Sequence, residues 1–284
     1  MPSDAQADMG DAIPESPPNP YDPGSFDSPI VNAIAPPLVA GLAIAFKLSP
    51  LGFLLEGFHV WVHEFGHASV AWLSGRRALP LPFGWTNVEQ ERSYLLYLGI
   101  LFLLGAMAVA GWRERRVWPM VLAAGLVAAQ TYMTWFLPED RGHMWMIFGG
   151  VGGEFYISAA MVGLFYFEFP EKFRWGGCRY VFLFIGAGCF FESYAFWADV
   201  KRGLEGIPYG SMINGEDDGG GDMNILRDDY HWSQHQIIHA YSHLANACLV
   251  ALLVVYAIFN LRLNRIADRL LARWWAMWSL RTQQ

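Results

Sequence analysis

The sequence predicts an all-α, polytopic membrane protein with about six or seven transmembrane helices. Apolar runs cover residues 30–46, 51–73, 94–112, 117–137, 144–167, 178–198 and 244–261, and a helix needs about 20 apolar residues to cross the hydrocarbon core. Only 16% of the 284 residues are charged, against roughly 25% in soluble domains. The 13 tryptophans suit anchoring at membrane interfaces.

Residues 1–29 are rich in Pro, Asp and Ser, carry six acidic residues and hold no Lys or Arg. They read as a disordered tail. The stretch lacks the basic start and apolar centre of a signal peptide, so targeting falls to the first span. That span contains Pro36-Pro37, a pair expected to break or delay a helix. Short loops join the first six runs, including residues 75–93 between the second and third. A hydrophilic insertion follows at 199–243, with the glycine and acid cluster from Gly215 to Asp222. The membrane domain is therefore 30–261, and 262–284 forms a third unit. There Arg262, Arg265, Arg269 and Arg273 recur at helical steps among Trp274, Trp275 and Trp278, the pattern of an amphipathic helix lying on the membrane surface.

Lys and Arg placement suggests an orientation. With an odd number of spans, the N-terminus lies outside and the C-terminus inside, which puts Arg113, Arg115, Arg116, Lys172, Arg174 and Arg179 on the inner side. The expected location is a bacterial inner membrane. No basic patch suited to nucleic acid occurs. Cys178, Cys189 and Cys248 all fall in apolar runs and read as small buried hydrophobes, not as disulfide partners or metal ligands.

Chemistry concentrates in the second run, at His63-Glu64-Phe65-Gly66-His67. Residues four apart share a helix face, so both imidazoles can reach one metal ion, and Glu64 is placed to take a proton from water on that ion. Polar groups inside a spanning segment are costly, which makes them functional candidates. Glu56 and His59 extend the same stripe, with His59 read as a supporting residue. Glu154, beside Gly149, Gly150, Gly152 and Gly153, and Glu192 are carboxylates within later spans. The glycines allow close helix approach or local unwinding. His235, His239 and His243 repeat the four-residue spacing. They could face the metal helix, form a second metal site, or lead as interfacial residues into the last span, and the last reading is preferred.

His63-Glu64-Phe65-Gly66-His67-Ala68, followed by Ala71-Trp72-Leu73-Ser74-Gly75-Arg76, resembles the site-2 protease family of intramembrane zinc metalloproteases. The strong part of the likeness covers residues 56–76. The resemblance implies Zn2+ on His63 and His67, with Glu64 as the general base that activates zinc-bound water against a peptide carbonyl. It also implies a third ligand, an aspartate in a later Asn-Pro-Asp-Gly type motif. This chain departs from that pattern. Asp218-Gly219-Gly220 and Asp222, followed by Asn224-Ile225-Leu226, are the nearest stretches; Asp222 is chosen, with Asp218, Glu154 and Glu192 as alternatives. The implied partners are a membrane-protein substrate and the lipid bilayer, with room for partner subunits. Two other classes stay open: a catalytically inactive relative serving as a membrane scaffold, and a His-box di-iron oxidoreductase.

Overall fold

The structure, a computed structural model, describes residues 21–169, 177–210 and 219–263. It is an all-α polytopic fold. Among the described residues, seven long helices are α1 (Pro29–Lys47), α2 (Phe53–Leu73), α3 (Tyr94–Arg113), α4 (Val117–Trp135), α5 (Glu139–Gly163), α6 (Cys178–Arg202) and α8 (Gln234–Asn260). The short helix α7 (Asp222–Asp228) lies before α8. All the long helices except α2 are long and apolar enough to cross a membrane. Helix α2 falls short only because its polar motif lowers its hydropathy. Leu98, Phe102 and Leu103 of α3 and Val250 and Leu253 of α8 are exposed, as lipid-facing residues must be. Half of the apolar window of α5 is buried against 11% of that of α3, so α5 is the central helix. Residues 1–20 and 264–284, which hold most of the tail and of the amphipathic segment, lie outside the described residues.

Helix α1 runs through Pro36 and Pro37 without a break, contrary to the sequence expectation. Each proline lacks the amide that would bond the carbonyl four residues back. Those carbonyls belong to Asn32 and Ala33. Tyr166 Oη donates to Asn32 O at 3.2 Å, and Tyr256 Oη donates to Ala33 O at 3.0 Å. Two tyrosines on neighbouring segments thus replace the two missing donors. Tyr166 also stacks on Phe259, with ring centroids 4.9 Å apart. The start of α1, the end of α5 and the end of α8 therefore meet at one end of the bundle. Before α1, residues 21–28 are docked: Arg179 donates to the carbonyls of Pro23 and Ser25 and lies 4.3 Å from the Phe26 ring centroid.

Helix α2 packs on α5 through glycine. A side chain on Gly66 would collide with the carbonyls of Gly149 and Gly150 and with the Gly153 backbone. The glycines of α5 thus serve close approach, with the helix intact around them. Tyr156 Oη donates to Gly66 O at 3.0 Å across the seam.

The segment read as a plain loop after α2 is a β-hairpin. Gly75, at φ +73°, ends the helix, and β1 (Arg76–Leu81) pairs antiparallel with β2 (Trp85–Arg92). Gly84, at φ +79°, sits in the turn. Trp72 Nε1 donates to Ala78 O at 3.0 Å and ties the hairpin to α2. Helix α8 begins ten residues earlier than the apolar run suggests. Ser233 and Gln236 form a capping box there, so His235, His239 and His243 lie in its first three turns.

Candidate functional site

Helices α2, α5 and α7 bring the candidate ligands together. His63 Nε2 lies 3.2 Å from His67 Nε2 and 3.2 Å from Asp222 Oδ2, and His67 Nε2 lies 3.3 Å from the same oxygen. The short helix α7 starts at Asp222, and its buried Met223 and Leu226 pack into the core around Phe155, Trp197 and Tyr241. That packing anchors the carboxylate from outside the spans. Gly150 supplies the space, because a Cβ there would fall on Asp222 Oδ2 and on the His67 ring.

The other ring nitrogens fix the tautomers. His63 Nδ1 donates to Glu154 Oε1 at 2.7 Å, and His67 Nδ1 donates to Met146 O at 2.8 Å. Hydrogen bonding through Nδ1 leaves Nε2 as the lone-pair atom on each ring, the arrangement in which carboxylates and carbonyls orient metal-binding histidines. Three acceptor atoms then face one another, and buried Asp222 Oδ2 has no hydrogen-bond partner. A cation resolves that conflict. A tetrahedral ion with bonds of about 2.05 Å has ligand–ligand edges of about 3.3 Å, matching the observed separations of 3.2–3.3 Å. The Asp222 carboxylate ligates as its anion. These residues fit a zinc ion.

Glu64 is buried beside them, and its carboxylate is oriented from the hairpin. Thr86 Oγ1 lies 2.5 Å from Glu64 Oε2 and 3.0 Å from the Glu64 carbonyl oxygen. Glu64, the three candidate ligands and β2 residues Trp85–Val88 line one cavity of about 720 Å³.

The remaining sequence candidates separate clearly. Glu154 lies behind His63, on Nδ1, and so supports a ligand instead of ligating. Glu192 pairs with Lys47 at 2.8 Å and is removed from the triad. Asp218 lies outside the described residues. His59 contacts Ser193 and Glu154, in the supporting position expected. The ladder His235, His239 and His243 stacks along α8, with the first two ring centroids 4.0 Å apart and its first and third members exposed. Among the described residues, His63, His67 and Asp222 are the group whose ligand atoms lie within 4.8 Å of one another. The sequence reading missed Met146, whose part is played by a backbone carbonyl and leaves no trace in residue type. It also missed Thr86, although Trp85-Thr86-Asn87-Val88 has the β-branched and aromatic character of a strand.

Comparisons with protein-family models, with curated proteins and with solved structures find no match to this chain.

Proposed function

We propose that this protein is a zinc-dependent endopeptidase of the site-2 protease type, hydrolysing peptide bonds in membrane-embedded substrates. One observation carries the reading: two histidines and an aspartate converge beside the buried, oriented carboxylate of Glu64, in a cavity within a membrane bundle. His63, His67 and Asp222 would hold zinc, which supplies a Lewis acid that polarises a carbonyl and makes water acidic enough to attack near pH 7. Glu64 accepts the proton from the attacking water and passes it to the leaving amine. Thr86 holds Oε2 and leaves Oε1 for that transfer. Strand β2 lines the same cavity, and an extended strand can bind only a substrate segment that has left its own helix. The ligand set does not draw on the α8 histidines, which favours this reading over a His-box oxidoreductase.

The contacts between helix ends also support an orientation. The beginning of α1 and the end of α8 meet at Tyr256, which supports putting both on one membrane face instead of the N-out, C-in arrangement expected above. The α3–α4 turn, with Arg113, Arg115 and Arg116, belongs to that face: Arg116 pairs with Glu168, just past Tyr166, at 2.7 Å. The positive-inside rule makes that face the inner one. The hairpin and α7 then lie toward the outer face.

The experiment is zinc analysis of the purified chain combined with cleavage of a transmembrane peptide in detergent. Wild type should hold one zinc and cleave. Glu64→Gln should keep the zinc and lose cleavage. A Glu64→Gln variant that cleaves at the wild-type rate would refute the mechanism.

A further inference from the structure

Behind the candidate site, a line of polar side chains runs toward the far end of α1. Glu154 uses both carboxylate oxygens. Oε1 accepts from His63, and Oε2 accepts from Ser193 Oγ at 2.7 Å. With its proton committed to Glu154, the Ser193 oxygen accepts from His59 Nε2, also at 2.7 Å. The same nitrogen lies 3.1 Å from Glu154 Oε2. On its other side, His59 Nδ1 faces Glu192 Oε2 at 3.7 Å. Glu192 Oε1 meets Lys47 Nζ at 2.8 Å, and Lys47 also reaches Glu56 at 3.5 Å. The line joins α1, α2, α5 and α6. Ser193, His59 and Glu192 border the same cavity as the ligands.

We infer that His59, Ser193 and the Lys47–Glu192 ion pair are positioning residues, holding Glu154 and through it His63 in ligating geometry. This inference rests on the metal reading proposed above. A carboxylate bonded through one oxygen can swing about its terminal torsion. Here the second oxygen is held by Ser193 and His59, so the direction from which Glu154 meets the His63 ring is fixed. Lys47 holds the Glu192 carboxylate against the other side of the His59 ring, which steadies that ring toward Glu154. Ionisable groups in a membrane interior are expensive, and apolar contacts alone could dock α1 on α6, as Phe46 does on Phe184 with ring centroids 5.6 Å apart. The polar line therefore has a use beyond docking. It makes the affinity of the site depend on a residue at the end of α1.

The test measures zinc affinity of the full chain in detergent, by competition with a chromophoric chelator, together with the visible spectrum of the cobalt-substituted protein. Ser193→Ala should weaken zinc binding about tenfold or more, as expected for loss of support behind a metal-binding histidine, and should shift the cobalt bands. Lys47→Met and Glu192→Gln should each weaken binding, and Lys47→Arg should restore it. Since an unpaired buried charge can unfold a protein by itself, Lys47→Met/Glu192→Gln is measured beside the single variants. It should be folded and show a similar loss. If the wild type binds zinc and these variants bind it equally well with unchanged cobalt spectra, the positioning role is overturned while the metal reading stands. If the wild type binds no zinc, the metal reading itself falls, and this role with it.

Discussion

The prolines of α1 give a sharp test of how this fold is held together. Tyr166→Phe and Tyr256→Phe each remove one hydroxyl and nothing else. Asn32 O and Ala33 O would then face Pro36 and Pro37, which have no amide to offer. An orphaned buried carbonyl costs about 1–3 kcal/mol. Tyr166 and Asn32 are each 5% exposed, so Tyr166→Phe should lie in the upper part of that range. Tyr256 is only half-buried, so Tyr256→Phe should lie in the lower part. The decisive measurement repeats each change after restoring the amide. In a Pro36→Ala background, residue 36 can bond Asn32 O itself, and Tyr166→Phe should cost less than about 1 kcal/mol. Reversible unfolding in mixed micelles, followed by far-ultraviolet circular dichroism, reads both legs of the cycle. The same cost in both backgrounds would refute the claim that tyrosine replaces the missing donor.

Three further outcomes are expected. Gly66→Ala would drive a methyl group into the α5 backbone at Gly150 and Gly153, so the chain should lose at least about 1–3 kcal/mol of stability and most of its zinc affinity, as read by unfolding and chelator competition. Thr86→Val removes the donor that orients Glu64; turnover should fall about tenfold or more with zinc content unchanged, and unchanged turnover would show that the hairpin does not position the base. Single cysteines at Tyr21 and Leu261, both exposed, should react with an impermeant maleimide from one side of sealed vesicles, and one at the hairpin residue Phe83 from the other, in a background without Cys178, Cys189 and Cys248. Labelling of Tyr21 and Leu261 positions from opposite sides would return the topology to an odd number of crossings.

What could be read from the sequence, and what could not, follows from how far each signal reaches along the chain. Apolar runs and the His63–His67 spacing are local, and both are matched by helices and by convergent rings. Asp222 was reached through a family likeness, since nothing local distinguishes it from its acidic neighbours; its distinction is a short helix whose Met223 and Leu226 are buried. The role of Glu154 was out of reach for the opposite reason. A carboxylate near a histidine can ligate or support, and only the choice of Nδ1 over Nε2 separates the two. The continuity of α1 was hidden because its compensating donors stand 134 and 223 residues away. The earlier start of α8, by contrast, was legible: Ser233 and Gln236 have the spacing of a capping box.

Gly150 has a consequence for how the site can be probed. A methyl group there would lie within 2.5 Å of Asp222 Oδ2 and His67 Nε2, in the space where the ligand atoms converge. Gly150→Ala would therefore act as a built-in plug. It leaves every donor atom, every charge and the support behind His63 in the chain, and pushes the Asp222 carboxylate and the His67 ring out of their convergence. Removing a ligand changes affinity, charge and packing together. If zinc is bound as proposed, the plug separates vacancy from chemistry, and gives a cation-free reference protein whose remaining properties can be compared with those of the zinc-bound one.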